Sequence, residues 1–257
     1  MNVFVFDVES VPDIESGRKI HDLQGLEDAD VVRAMEQLRS QQTGNTFMPH
    51  YLQRIVAISV VLSTTDGVRV WSLGSPESGE KELLERFFAG LEKYNPTLVS
   101  WNGSGFDLPV IQFRSLLHGV NAHHYWQTGD DDTSFRYNNY LSRFHWRHID
   151  LMDVLAGYQP RAFAKLDHIA TMLGFPGKTG MDGSQVGAAW LAGEIEAIRN
   201  YCETDALNTY LVYLCFEKMR GKLSQGVYES RLEQVRASLA EAQKPHLDDF
   251  LSHWASD

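Results

Sequence analysis

The sequence predicts an α/β protein built on a mixed sheet flanked by helices, and three observations carry this prediction. The chain opens with an apolar run at 2–8 (NVFVFDV), which is typical of a buried strand. Two further strands, 54–63 and 68–73, flank a Thr-Asp-Gly turn, which indicates an antiparallel hairpin. A fourth strand at 97–101 leads through a short turn into a helix, an order typical of α/β folds. We therefore expect the first three strands to be largely antiparallel.

Helical patterns supply the elements that cover this sheet. They are predicted at 26–42, 76–94, 106–118, 151–156, 162–173, 194–219 and 227–243. The second of these opens at Pro76, and the third has Pro109 in its first turn, where a missing N–H costs little. No internal repeat or domain boundary is evident. We expect one domain over 1–257, with 221–257 as a C-terminal helical extension.

Composition narrows the class of protein. With 257 residues, 43% of them hydrophobic, the chain is long enough for a buried core. No segment approaches the length of a membrane span, and the N-terminus lacks the zones of a signal peptide. We predict a soluble, cytoplasmic protein with no membrane partner. The two cysteines, Cys202 and Cys215, are interpreted as buried free thiols.

The distribution of charge is more informative than its total. A net charge of −11 argues against a nucleic-acid partner, unless the acids hold metal ions. The segment 133–149 contains no carboxylate and interleaves Arg136, Arg143 and Arg147 with five aromatic residues. Arginine and aromatic side chains together can hold a backbone and stack bases, so this segment is a candidate contact surface for single strands. A partly buried aromatic cap is the alternative interpretation.

Three short segments carry acids in positions where they could meet. Asp7 and Glu9 are two apart on the first strand, so both carboxylates share one face and need a cation. Asp107 begins a predicted helix, where the helix dipole favours an anion. Tyr201 and Asp205 are four apart on a predicted helix and also share a face. Each pattern alone has an ordinary structural explanation, but four acids from three elements are harder to dismiss.

The segments FDVES, WNGSGFD and YCETD resemble the three motifs of the DEDD 3′–5′ exonuclease superfamily, in its tyrosine variant (DEDDy). The histidine variant would place His at Asn200, whereas Tyr201 occupies the tyrosine position. With RIVAIS, HIDLMDVL and KLDHIATMLGFPGK as further context, the chain is similar to stand-alone prokaryotic exonucleases related to the proofreading domain of B-family DNA polymerases. This resemblance implies a ribonuclease H-like fold.

The resemblance also implies a metal site and a role for each motif residue. Oxygen ligands suit two Mg²⁺ or Mn²⁺ ions, about 4 Å apart. Asp7 would bridge both ions, and Glu9 and Asp205 would complete the site that activates water. Asp107 would hold the second ion, partly through water. Tyr201 would orient the attacking water, because a phenol with a pKa of about 10 is a poor base.

The function implied is 3′–5′ hydrolysis of single-stranded DNA, a hydrolase reaction that releases nucleoside 5′-monophosphates. Candidate substrate contacts are Asn102, Phe106, Arg136, Arg143 and Lys165, and Lys178 is a further candidate for phosphate. Phe106 would pack beside the terminal nucleotide. Asp150 is interpreted as the N-cap of the helix after it. A 3′–5′ exoribonuclease on the same scaffold and a non-catalytic nucleic-acid-binding module remain alternatives.

Overall fold

The computed structural model describes residues 2–178 and 180–254. Its strands are β1 (Val3–Pro12), β2 (Gln53–Thr64), β3 (Gly67–Ser72), β4 (Thr97–Ser100) and β5 (His148–Asp150). Its α-helices are α1 (Ile14–Ile20), α2 (Asp28–Thr43), α3 (Glu80–Tyr94), α4 (Asp107–His118), α5 (Leu151–Leu155), α6 (Leu166–Met172), α7 (Val186–Leu191), α8 (Ile195–Met219), α9 (Gln225–Ala242) and α10 (Pro245–His253). Short 3₁₀ turns lie at His50–Leu52, Thr133–Phe135, Pro160–Ala162 and Gly183–Gln185.

The five strands form one mixed sheet in the order β3-β2-β1-β4-β5. β2 is antiparallel to both β1 and β3, so the expected antiparallel arrangement of the first three strands is confirmed. β4 and β5 continue the sheet in parallel with β1. The predicted α/β fold with a mixed sheet flanked by helices is therefore confirmed.

Strand β1 is central and is buried on both faces. Alternate residues point to opposite sides of a strand. Phe4 and Phe6 pack on one side against Phe87 of α3, with the rings of Phe6 and Phe87 5.1 Å apart. Val3 and Val5 join the core on the other side, which contains much of α8. Asp7 and Glu9 continue the series of Val3 and Val5, so β1 directs their side chains toward α8.

The last two helices are packed into the core on the α8 side of the sheet. Their buried residues in that core are Val235, Leu239, Leu247 and Phe250, and Trp254 follows them. A polar contact reinforces this packing at Glu203 of α8. The Glu203 carboxylate accepts hydrogen bonds from Lys244 at 3.0 Å, from His246 at 2.8 Å and from the backbone N–H of Ser72 at 2.9 Å. These partners hold the pKa of Glu203 down at about 2 against the effect of burial.

Helix boundaries differ from expectation in two places. α3 begins at Glu80 rather than at Pro76, and the Glu80 side chain is buried against Arg114 of α4. α6 begins at Leu166 because 160–162 form a separate 3₁₀ turn. The helices α1, α7 and α10 were not predicted, since each is too short to show a clear helical period. Among the described residues, no helix is long and apolar enough to cross a membrane.

Candidate active site

Asp7 and Glu9 lie in the middle part of β1, next to Cys202 of α8. One potential ligand atom from each of these three residues lies within 4.8 Å of the other two. The Cys202 thiol donates to the backbone carbonyl of Asp7 at 3.3 Å, so the sulfur is already engaged. Burial raises the pKa of this thiol well above its usual range, which keeps it protonated. The two carboxylates are therefore the better candidates for metal ligands at this point.

Asp107 reaches the same place from the first turn of α4. Asp107 is 4% exposed, and the backbone N–H of Val8, the residue between Asp7 and Glu9, lies close enough to stabilise its carboxylate. The start of α4 therefore lies beside β1. The sequence predicted a helix that begins near Asp107, and in the structure this helix start lies beside Asp7 and Glu9.

The turn before Asp107 is held by Asp150. Asn102 adopts the left-handed backbone region, with φ of 64°, and both Gly105 and Phe106 donate their backbone N–H to its carbonyl. The Asp150 carboxylate accepts from the backbone N–H groups of Asn102 and Ser104, each at 2.9 Å. It also caps α5, as the sequence predicted. Asp150 thus fixes the turn that leads into α4.

Tyr201 and Asp205 come from one face of α8. The Tyr201 hydroxyl lies close enough to Asp205 to lower the pKa of that carboxyl against the effect of burial, and the tyrosine is 8% exposed. The ammonium of Lys178 lies 5.5 Å from the centre of the Tyr201 ring. Burial and the neighbouring carboxylates raise the pKa of Tyr201 far above its usual range. Its hydroxyl is therefore a donor and not a base.

The four acids influence one another electrostatically. Burial raises the pKa of Asp7 well above its usual range, and the charges of Glu9, Asp107 and Asp205 raise it further. The pKa of Glu9 is raised in the same way. Burial also brings the pKa of Asp107 to about 7 and that of Asp205 to about 6. The four side chains therefore form one site in which each negative charge opposes the others.

This site fits divalent cations. Among the described residues, the buried Oδ2 of Asp7 has no hydrogen-bond partner. An unpaired buried carboxylate oxygen is costly, and a cation would satisfy it while offsetting the crowded negative charge. All four carboxylates offer hard oxygen ligands, which suit Mg²⁺ or Mn²⁺.

A cleft of about 700 Å³ opens over these residues. Asp7, Asp107 and Asp205 line it, as do three of the predicted substrate contacts: Asn102, Phe106 and Lys165. Lys178 lies in the same lining. The sequence did not identify several other lining residues: Trp101, Met152, Asp167, His168, Asp182 and Ser184. The segment KLDHIATMLGFPGK contains two of these, so its similarity to the exonucleases was the available signal.

The two remaining substrate candidates lie outside this cleft. Arg143 lines a neighbouring cavity of about 530 Å³, which shares Asn102 with the cleft. Its guanidinium is held by Asp153 at 2.6 Å. Arg136 is exposed.

The segment 133–149 combines both interpretations made from the sequence. Phe135 and Tyr140 are fully buried, and the guanidinium of Arg147 lies 3.8 Å from the centre of the Phe135 ring. This part is an aromatic cap. Tyr137 and Phe144 are 84% and 66% exposed, so the rest of the segment offers aromatic surface to solvent.

Comparison with known proteins assigns the chain to a family. A family described as predicted 3′–5′ exonucleases related to the exonuclease domain of PolB matches residues 45–254. The chain belongs to this family. Its membership confirms the resemblance to the exonuclease domain of B-family polymerases.

The relatives of this PolB-related exonuclease include archaeal DNA polymerases. It is 25% identical over 161 residues to a DNA polymerase of Archaeoglobus fulgidus, which covers 62% of this chain and 19% of that protein. It is 26% identical over 168 residues to a DNA polymerase of Desulfurococcus. That alignment covers 63% of this chain and 21% of that protein. The chain thus spans about a fifth of the length of these polymerases. The structure of a family B DNA polymerase from Pyrobaculum calidifontis aligns with this chain at a TM-score of 0.49 and 16% identity. The alignment covers all of this chain and 27% of the polymerase chain.

Proposed function

We propose that this protein is a divalent-metal-dependent 3′–5′ exonuclease that hydrolyses single-stranded DNA to nucleoside 5′-monophosphates. The observation that carries the proposal is the convergence of four buried or half-buried, mutually repelling carboxylates, three of which line one cleft. Membership of a family described as exonucleases supports the reaction, and the similarity to DNA polymerases supports DNA as the substrate.

In this proposal Asp7, Glu9, Asp107 and Asp205 hold two Mg²⁺ or Mn²⁺ ions. When bound, such ions acidify a water molecule and neutralise charge on the phosphoryl oxygens. Asp7 would be the ligand that both ions share, a role supported by its unpartnered Oδ2 and its place among the other acids. Bound cations would offset the repulsion that raises the pKa values of the carboxyl groups.

Tyr201 acts in this proposal as a hydrogen-bond donor that orients the attacking water. Its protonated hydroxyl already lies beside Asp205, so the water it positions would be next to a ligand carboxylate. It does not accept the proton, because its pKa is far too high. Loss of the hydroxyl should therefore slow the reaction without preventing metal binding.

The cleft residues provide candidate contacts to the 3′ terminal nucleotide. Phe106 offers a ring for packing, and Asn102 lies next to it in the turn. Lys165 and Lys178 are exposed cations of the same lining and suit the phosphate backbone. Outside the cleft, Arg136 and Arg143 of the segment 133–149 would hold more distant phosphates, with Arg143 exchanging its contact to Asp153.

A digestion series tests the proposal. DNA and RNA oligonucleotides of one sequence, labelled at the 5′ end, would be incubated with Mg²⁺, Mn²⁺ or a chelator. We expect a metal-dependent ladder that shortens from the 3′ end of DNA, with nucleoside 5′-monophosphates as products. Faster digestion of RNA would assign the enzyme to exoribonucleases instead.

Two variants control for contaminating nucleases. Asp7→Asn should abolish hydrolysis, while Glu85→Gln, which removes an exposed carboxylate on α3, should leave it unchanged. A protein that binds oligonucleotides but hydrolyses neither DNA nor RNA with metal present would contradict the proposed activity. That result would favour the non-catalytic nucleic-acid-binding module.

A further inference from the structure

Five ring-bearing side chains extend from the cleft along one side of α4. The ring of Phe106, which lines the cleft, lies 5.5 Å from Phe47 and 5.7 Å from His50. Further along the helix, Phe113 lies 6.2 Å from Tyr51. We call these five residues the aromatic shelf. Three of them come from the segment before β2, which lies outside the three acidic motifs.

Much of the aromatic shelf faces solvent. Phe47 is 54% exposed, Tyr51 is 48% exposed and Phe113 is 46% exposed. Single exposed apolar residues are common, but adjoining exposed rings that continue from a cleft are typical of a binding surface. The rings contact one another by edges or at a tilt, so faces of several rings remain available to a flat ligand.

The shelf is held in place before any ligand binds. Arg39 of α2 donates to the backbone carbonyl of Phe47 at 3.1 Å, and the backbone N–H of Phe47 donates to Asn45 at 2.8 Å. The 3₁₀ turn at 50–52 packs against α4. A surface fixed in this way loses little conformational entropy on binding. Arg39 also places a positive charge beside the first ring pair.

The spacing of the shelf matches a stacked strand. Phe106 is the N-cap of α4, and Phe113 lies seven residues further on, which corresponds to about 10.5 Å along the helix axis. Successive stacked bases in one strand are separated by about 3.4 Å. The shelf therefore spans about three nucleotides.

We propose that the aromatic shelf stacks the bases that lie on the 5′ side of the scissile bond. The proposal rests on the proposed function, because the 3′ terminus must enter the cleft for the upstream bases to meet the shelf. Phe47 and His50 would receive the bases next to the cleft, and Tyr51 with Phe113 would receive those further upstream. Stacking on aromatic rings tolerates any base, which suits an enzyme that degrades a strand stepwise.

Binding by an inactive protein tests this proposal separately from catalysis. In the Asp7→Asn background, affinities for oligothymidylates of two, four and eight nucleotides would be measured by fluorescence anisotropy. We expect Phe47→Ala to weaken binding of the four- and eight-nucleotide strands about 5- to 150-fold, the range expected for loss of one stacking ring. Phe113→Ala should weaken the same two strands, because the fourth nucleotide from the 3′ end would reach Phe113. Binding of the dinucleotide should change little in either variant.

Matched variants separate stacking from misfolding. Phe47→Trp keeps a ring face and should retain affinity, whereas Phe47→Leu keeps the apolar bulk and should lose it. Trp126→Ala removes another aromatic residue of similar exposure, one that contacts Tyr125 rather than the shelf, and should bind as the parent does.

The substrate provides a second, independent test. An abasic unit at the second or third nucleotide from the 3′ end removes the base that Phe47 would stack. If the shelf works as proposed, this change and Phe47→Ala should each raise the KM of the active enzyme, and the two together should do no more than one alone. Multiplicative effects, or equal affinities of parent and Phe47→Ala for every length, would overturn the shelf. Failure of the wild-type protein to hydrolyse any strand would instead refute the proposed function, since length-dependent binding is measured without hydrolysis.

Discussion

The carboxylate of Asp150 accepts a hydrogen bond from the backbone N–H of Asn102 at 2.9 Å. This contact holds the turn that positions Asp107 in the site. The second carboxylate oxygen of Asp150 accepts from Ser104 at the same distance. Asp150 is 5% exposed, so the two bonds are shielded from water. One buried side chain therefore fixes both ends of a strained turn, although it does not face the cleft itself.

Asp150→Asn should reduce kcat about 10- to 100-fold with a small change in KM. The side-chain amide of the asparagine would place its own N–H against the backbone N–H of Asn102 or of Ser104, which would lose its acceptor. A buried unsatisfied group of this kind costs about 1–3 kcal/mol. The turn would shift and carry Asp107 with it. Asp150→Ser, which can still cap α5 but cannot reach both N–H groups, should be folded and equally slow. Normal kcat in both variants, measured beside circular dichroism spectra, would show that the turn needs no such support.

Divalent ions should stabilise the wild-type protein against heat, and Asp7→Asn should weaken this effect. Ions that bind only the folded state contribute about 2.7 kcal/mol at a concentration of 100 times Kd. Without metal, Asp7→Asn should be more stable than the wild type, because it removes one of four clustered acids. Thermal unfolding with chelator, Mg²⁺ and Mn²⁺ measures both effects. A wild-type Tm that is insensitive to either ion would argue against a metal site.

Arg114→Met should destabilise the fold by about 3–5 kcal/mol, the usual cost of removing one partner from a buried ion pair. Arg114 is 4% exposed and binds Asp13 and Glu80, so the variant removes the guanidinium from two buried carboxylates, of which Glu80 keeps its contact to His118. Urea unfolding would measure the loss. Arg86→Met removes an exposed i,i+4 ion pair on α3 and should cost about 0.5 kcal/mol or less. Similar costs for the two variants would mean that burial of the Arg114 network is unimportant.

His148 should make stability depend on pH between about 4 and 6.5. Burial lowers the pKa of His148 from 6.5 to about 4 in the folded state. The unfolded chain therefore binds more protons in this window, and stability falls as the pH drops through it, by up to about 1.4 kcal/mol per pH unit. Well above pH 6.5 the imidazole is neutral in both states, and this contribution becomes constant.

His148→Gln should flatten this part of the pH profile. Glutamine cannot titrate but can still meet the hydroxyl of Ser100, which lies 2.9 Å from His148 Nε2. Urea unfolding of both proteins from pH 4 to pH 8 isolates the contribution, because every other group is common to the two. Parallel profiles would show that His148 is not the titrating group.

The acids were predictable because their geometry is local. Two residues on a strand and four on a helix have fixed spatial relations, so Asp7 and Glu9, and likewise Tyr201 and Asp205, share faces whatever the rest of the chain does. The antiparallel hairpin followed from a pattern of similar range, whereas the strand order of the sheet was seen only in the structure. That the three segments meet came from the resemblance to the exonucleases, not from spacing.

The features that the sequence did not predict depend on contacts between segments that are far apart in the sequence. Asp150 carries an ordinary cap signal, and nothing near it in sequence shows that its oxygens also bind residues 102 and 104. Phe47 lies in a segment that reads as a plain loop, and only the packing of 50–52 against α4 brings it beside Phe106. Short helices such as α1 begin and end within too few residues to show a period.

The polar contacts of Glu203 have a consequence for the order in which the molecule matures. A chain in synthesis that has passed residue 205 already contains all four acids, but the side chains of Lys244 and His246, which pair with Glu203, are added only later. The apolar residues of α9 and α10 that pack into the core beside α8 are also added later. We therefore expect α8, which carries Tyr201 and Asp205, to reach its final packing only after α10 has left the ribosome.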